Sequence, residues 1–316
     1  MRIIFMGTPD FAVPSLDILI KNNYNVVAVI TVPDKPAGRG QQLQQSAVKE
    51  YALENNLKIL QPEKLKNEDF INELRALKAD LQIVVAFRML PEVVWNMPPM
   101  GTFNLHASLL PQYRGAAPIN HAIMNGETET GVTTFFLNDK IDCGEILFQT
   151  KTPIELNETA GELHDKLMIL GADLVLKTVK AIENKNFTKI AQVTQINNLY
   201  NAPKIFKENC KINWEQNIDT IYNFIRALSP YPTAFTEIIS SKGEKHYLKI
   251  FSSEKEILEH SYNIGELISD HKTYLKVSVR NGFVHLKEVQ MEGKKRMKII
   301  DFLRGFRFDE GLKFEI

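Results

Sequence analysis

The first half of the sequence alternates short aliphatic runs with segments of helical spacing, and this alternation constrains the fold more than any other feature. Residues 3–6, 25–32, 58–60, 81–87 and 102–105 read as strands. Residues 16–22, 47–55 and 70–77 carry helical spacing between them. Strands that are apolar on both faces and separated by helices predict a parallel sheet covered on both sides, a Rossmann-like α/β architecture. Ligands of such sheets bind beyond the carboxyl ends of the strands. The loops after Met6, Phe87 and Leu105 therefore share one edge.

A longer helical pattern covers 159–184, with Leu163, Leu167, Leu170 and Leu174 on one stripe. Periodicity is lost from 190 to 207. A helix over 218–228 then ends at Ser229-Pro230-Tyr231-Pro232. Short β-like runs follow at 234–239, 247–251, 274–279 and 283–289, separated by turn signals such as Lys242-Gly243 and Asn281-Gly282. They predict a small β-barrel of OB-like type. A chain of 316 residues suits about two domains. The expected division is a catalytic domain over 1–189, a linker over 190–206 and a barrel domain over 207–316.

The formal charge is zero, from 38 basic and 38 acidic residues. That balance leaves a nucleic-acid partner open, because such a partner feels local rather than total charge. Cys143 and Cys210 offer neither a disulfide framework nor a pair of metal ligands. The amino terminus reads as a buried strand rather than a signal peptide, and no aliphatic run approaches the ~20 residues of a membrane span. A cytosolic protein without membrane association is expected.

Gly7-Thr8-Pro9-Asp10 follows the first strand with one glycine, where a dinucleotide-binding loop needs several for close backbone approach. A tight strand-to-helix turn is the better reading, and it counts against an oxidoreductase. The chemistry is more legible at Phe103-Asn104-Leu105-His106. Alternate strand residues share a face, so Asn104 and His106 project together at the ligand-binding edge. An amide N–H there can stabilise a developing oxyanion, and an imidazole can exchange a proton near neutral pH. The following stretch, with Pro111, Gly115 and Pro118, predicts a loop of defined shape beside the polar pair.

A second loop, Asn138-Asp139-Lys140-Ile141-Asp142-Cys143-Gly144, offers a carboxylate. A carboxylate brought to an imidazole favours its protonated form. Spacing does not choose between Asp139 and Asp142. Nothing beside Cys143 would lower its pKa, so it reads as a small turn residue rather than a nucleophile.

These segments resemble the folate-dependent formyltransferases. The likeness rests on Asn104-Leu-His106-Ala-Ser-Leu-Leu-Pro111, the later Asp142-Cys-Gly144 and the opening Gly7-Thr-Pro-Asp-Phe-Ala12, and it extends over essentially the whole chain. Within that family it is closest to members that act on methionyl-tRNA, through Pro33-Asp-Lys-Pro-Ala-Gly-Arg-Gly40, Arg114-Gly-Ala-Ala-Pro-Ile119 and Leu228-Ser-Pro-Tyr-Pro232. The resemblance implies 10-formyltetrahydrofolate as donor and no metal. It implies that Asn104 and His106 hold and polarise the formyl oxygen, and that Asp142 sets the protonation of His106. Ser108, Leu109, Leu110 and Pro111 would line the folate site, with the pterin towards the 87–90 and 139–142 loops. Arg88, Gln112-Tyr113 and Lys140 depart from the family's usual residues.

Two basic features bear on the acceptor. The 33–49 loop carries Lys35, Arg39 and Lys49 with Asp34 as its one acid, and Gly38-Arg39-Gly40 presents a guanidinium on an open backbone. Such an arginine can reach a phosphate or stack on a base. The second feature is Lys294-Lys295-Arg296-Met297-Lys298 in the carboxyl-terminal part. On charge alone each could be a solvated loop. The resemblance makes Arg39 a tRNA contact and initiator methionyl-tRNA the partner; a monomer is the expected state. Two other readings compete: formylation of a small amine such as an amino sugar nucleotide, and non-catalytic binding of folate or RNA.

Overall fold

A computed structural model describes residues 1–316 apart from 38–41, 194–198, 240–244, 306–312 and 315–316. The aliphatic runs of the first half become strands of one seven-stranded sheet. They are β1 (Arg2–Gly7), β2 (Asn25–Ile30), β3 (Ile59–Leu60), β4 (Leu81–Val85) and β5 (Thr102–His106), joined by β6 (Glu129–Phe136) and β7 (Ile146–Pro153). Their spatial order is β7-β6-β5-β4-β1-β2-β3. The five strands from β3 to β5 are parallel, as the sequence pattern predicts. The β6–β7 pair adds an antiparallel edge beyond β5.

Helices α1 (Val13–Lys21), α2 (Ala47–Glu54) and α3 (Glu68–Ala76) fill the connections. Ser46 and Asn67 start α2 and α3 by accepting the backbone N–H groups of Lys49 and Phe70, which leaves two fewer unsatisfied donors at those helix ends. Ile3, Ile4, Phe5 and Met6 are all fully buried. Burial on both faces is why these strands read as unbroken apolar runs. Gly7 is small for a local reason: a Cβ there would sit 2.7 Å from that of Ala12 and 3.1 Å from the carbonyl of Val85 at the end of β4. The glycine that ends β1 thus serves strand-to-helix packing.

By contact density the chain forms two compact units. The first comprises Met1–Gly115, Glu129–Pro153 and His164–Asn201, and holds the sheet just described. The second comprises Ala116–Thr128, Ile154–Leu163 and Ala202–Ile316. Its strands Leu267–Ser269, Leu275–Val279, Gly282–Met291, Lys245–Ile257 and Ala234–Ile239 lie side by side in that order, antiparallel, with Lys313–Phe314 beyond. This is the barrel-like sheet expected from the turn signals. Register shifts around Ser252 mark bulges, which bend and coil a strand of this length.

Trp214 is the largest side chain inside the second unit, fully buried, with its indole N–H donated to Thr236 Oγ1 at 3.0 Å. Leu248, Ile250, Leu286 and Val289 from the sheet, and Ile221 and Ile225 from the helix Ile218–Ala227, pack with it. Burying aliphatic side chains of this size contributes about 1.5–3 kcal/mol each. Cys210 belongs to the same core. Its thiol donates to the Phe206 carbonyl, and burial, followed by the nearby Glu208 charge, pushes its pKa up.

Candidate active site

The pleat of β5 turns Asn104 and His106 to one side at the carboxyl edge of the sheet. His106 is 6% exposed. Its Nε2 lies 2.9 Å from the carbonyl of Tyr113. A carbonyl only accepts, so Nε2 carries a hydrogen and the Nδ1 side of the ring is left for chemistry. Asn104 is partly buried, and among the described residues its carboxamide has no hydrogen-bond partner.

The carboxylate facing His106 is that of Asp142, with Oδ2 3.9 Å from Nδ1. Asp139, the alternative left open by spacing, is exposed. Asp142 is held by two contacts and stands in an unusual backbone conformation. Its Oδ2 accepts the Gly115 N–H at 2.9 Å. Its backbone stands at φ +52°, in the left-handed region. Its carbonyl accepts a 2.9 Å bond from Gln192 Nε2, which also donates to the Gly144 carbonyl at 2.8 Å. Gly144 cannot be enlarged, because a Cβ there would lie 1.6 Å from the Phe136 carbonyl.

Hydrogen bonds tie down the loop after β5, and its residues 108–111 do different things. Ser108 is fully buried; its hydroxyl donates to the Gln112 carbonyl at 2.6 Å and its own carbonyl accepts from Thr133 Oγ1. Leu110 is buried too, its N–H given to Thr133 Oγ1 and its carbonyl accepting from Gln149. Ser108 and Leu110 therefore shape the loop, while Leu109 and Pro111 are partly exposed and can meet a ligand. Tyr113 is pinned by a 2.7 Å bond from its N–H to the Tyr200 carbonyl and by stacking on the Tyr200 ring. That anchors the carbonyl on which His106 depends.

Arg88 turns its guanidinium onto the carbonyls of Pro62 and Glu63, and burial holds its pKa below the ordinary arginine value. Arg39 lies outside the described residues. What is described is the stem of its loop, a short hairpin in which Lys35–Ala37 pairs with Gln42–Gln44. Asp34 at its base accepts from Lys49 Nζ at 2.5 Å and Gln61 Nε2 at 2.8 Å, and these bonds hold its carboxyl below the usual carboxylate range. Lys49 is therefore spent on the stem. In the second unit, Arg296 is likewise paired with Glu288 and lies over the Phe251 ring, whereas Lys294, Lys295 and Lys298 are exposed.

Sequence reasoning missed Gln192 and the Tyr113 carbonyl. No local pattern marks either, since one acts through a side chain 50 residues from Asp142 and the other through its backbone.

A carboxamide and an imidazole on one face of a strand end, with a carboxylate 3.9 Å from the imidazole, suit transfer of an acyl-type carbon. The formyl transferase family matches residues 1–179 and the formyl transferase C-terminal domain matches residues 204–307. Methionyl-tRNA formyltransferase of Bacteroides thetaiotaomicron is 58% identical over 315 residues, covering 99% of this chain and 98% of that protein. The enzyme of the same name from Flavobacterium johnsoniae is 56% identical over 315 residues, with the same coverage. Among solved structures, an N-formyltransferase from Helicobacter canadensis, in complex with folinic acid and dTDP-3-aminofucose, aligns with a TM-score of 0.65 at 24% identity. It covers 90% of this chain and 98% of that one, a likeness of fold. With both family matches in order and full-length relatives more than half identical to it, the chain belongs to the formyl transferase family, in the group of the methionyl-tRNA formyltransferases.

Proposed function

We propose that this protein transfers the formyl group of 10-formyltetrahydrofolate to the free amino group of initiator methionyl-tRNA, giving N-formylmethionyl-tRNA for translation initiation. The observation that carries this reading is the 58% identity to a methionyl-tRNA formyltransferase over essentially the full length of both chains. The enzyme then works as a cytoplasmic monomer. Among the described residues no helix is long and apolar enough to cross a membrane.

The site supports a division of labour. As the amine attacks the formyl carbon, a new N–C bond forms and negative charge develops on the formyl oxygen. The Asn104 carboxamide, otherwise unbonded, supplies an N–H to that oxygen. A preorganised donor of this kind is worth roughly 10²–10³ in rate. His106 keeps its Nε2 hydrogen on Tyr113 and uses Nδ1 for the proton that passes between attacking and leaving nitrogens. Asp142, 3.9 Å away, stabilises the imidazolium when that proton is present. The bond from the formyl carbon to the donor nitrogen then breaks, and the donor nitrogen leaves with a proton. Leu109 and Pro111 form the wall of the folate site, with Ser108 and Leu110 fixing its shape. The loop bearing Arg39 and the exposed lysines of the barrel domain are the tRNA contacts of this reading.

The test is direct. The protein is incubated with 10-formyltetrahydrofolate and, separately, methionyl-tRNA, uncharged tRNA and a nucleotide-linked amino sugar, and products are identified by mass spectrometry. Formylated methionyl-tRNA with no formylated sugar is expected. A formylated sugar with unreacted methionyl-tRNA would overturn the proposal.

A further inference from the structure

Gln192 uses its whole hydrogen-bonding capacity on one task. A side-chain amide has two N–H donors and one carbonyl oxygen. Both donors go to the active-site loop, to the carbonyls of Asp142 at 2.9 Å and Gly144 at 2.8 Å. The oxygen takes two bonds from Arg114, from Nε at 3.1 Å and Nη2 at 2.6 Å. This arrangement permits only one amide orientation. Flipped, the amide would set N–H against guanidinium N–H, and oxygen against two carbonyl oxygens.

The contacts close a ring. Arg114 is bonded covalently to Gly115, the residue whose N–H holds the Asp142 carboxylate at 2.9 Å. From Gly115 the path runs through the Asp142 side chain, the Asp142 carbonyl, Gln192 and Arg114, and returns to Gly115. Asp142 needs such a frame. Its left-handed backbone at φ +52° is unfavourable for a residue with a side chain and persists only where its surroundings enforce it. The distance it sets is also a sensitive one: at 3.9 Å from His106 Nδ1 the carboxylate is within ion-pair reach but beyond a direct hydrogen bond.

We propose that Gln192, oriented by Arg114, is a positioning residue for Asp142, holding the 142–144 backbone so that the carboxylate faces His106. The inference rests on the role given to Asp142 above, and the experiment separates the two. Steady-state kcat, and KM for methionyl-tRNA and for 10-formyltetrahydrofolate, are measured for wild type, Q192A, Q192E, D142N, Q192A/D142N and Q192E/D142N. Circular dichroism and thermal midpoints establish that each is folded.

Q192A is expected to lower kcat roughly ten- to hundredfold, the range for a misplacement of about 1 Å, with both KM values nearly unchanged. In the D142N background the same change should cost no more than about twofold, because residues acting as one unit are not additive. Q192E keeps the shape and can still pair with Arg114, but turns an oxygen towards two carbonyls. It should lose at least as much kcat as Q192A, whereas a merely stabilising contact to Arg114 would survive or improve. Should Q192A fail to fold, Q192E carries the comparison in both backgrounds.

Wild-type kcat in Q192A or Q192E would overturn the proposal. So would an equal fold-loss from Q192A with and without Asp142. If D142N itself keeps wild-type kcat, the role of Asp142 fails, and the positioning proposal falls with it.

Discussion

His106 presents two nitrogens with separate duties, and each of the residue-scale predictions depends on that separation. Replacing His106 with alanine removes the proton-exchanging group and should lower turnover roughly 10²–10⁴-fold, read as single-turnover formylation of methionyl-tRNA. Asp142→Asn keeps the shape of the loop but removes the charge beside Nδ1. It should reduce kcat far more than donor affinity; equal losses in kcat and in folate binding, measured by titration, would count against its role. The pairing of Asn104 with His106 was legible from strand alternation alone. Spacing did not choose Asp142 over Asp139; the likeness of Asp142-Cys-Gly144 to the formyltransferases did, and the left-handed backbone seen at Asp142 is one that Asn138 and Asp139 could equally adopt. Nor could spacing show that Ser108 is buried and spent on the loop rather than presented to a ligand.

At the scale of elements, the parallel strands were read nearly to their ends, since burial on both faces leaves an unbroken aliphatic run. The β6–β7 pair was not read. Thr130, Thr133 and Thr134 in β6 are buried polar residues that break the apolar signal, two of them because their hydroxyls serve other segments. Thr133 braces the active-site loop, and Thr134 bonds Thr178 at 2.8 Å on the long helix Ala160–Glu183.

Contacts between helices are equally hidden in the sequence. Tyr51 on α2 donates its hydroxyl to Asp17 on α1 at 2.8 Å, and burial, then that bond, push its pKa up to about 12. A raised phenol pKa means that the folded state favours the neutral form. Its contribution is therefore complete below the unfolded value of about 10 and is lost as pH climbs from there to about 12. Tyr51→Phe should cost about 1 kcal/mol at neutral pH, measured by urea unfolding. It should also remove a component near pH 12 from the ultraviolet titration of the tyrosines.

For the whole molecule, a net charge of zero conceals an uneven use of charge. Lys49 is committed to a part-buried ion pair and Arg296 to one at the surface, while Lys294, Lys295 and Lys298 are exposed with no salt bridge among the described residues. Affinity for methionyl-tRNA should fall linearly on a plot of log K against log salt, because phosphate contacts release counterions. A flat line in filter-binding or fluorescence titrations would remove the electrostatic account of tRNA binding. The same plot for the folate donor should be shallower, since it offers far fewer charges. The chain forms two compact units, and Ala116–Thr128 and Ile154–Leu163 belong to the second although they precede the change in sequence character near residue 207, because long-range packing assigns them.

The two thiols lend this arrangement an experimental use. Cys210 is buried with a raised pKa, whereas Cys143, next to Asp142, is partly exposed. Thiolate reagents select for exposure and ionisation. A maleimide dye should therefore label the native protein once, at Cys143, and twice after denaturation, with peptide mapping to verify the site. Without any engineering, the protein would then carry its own reporter on the loop that presents the carboxylate to His106.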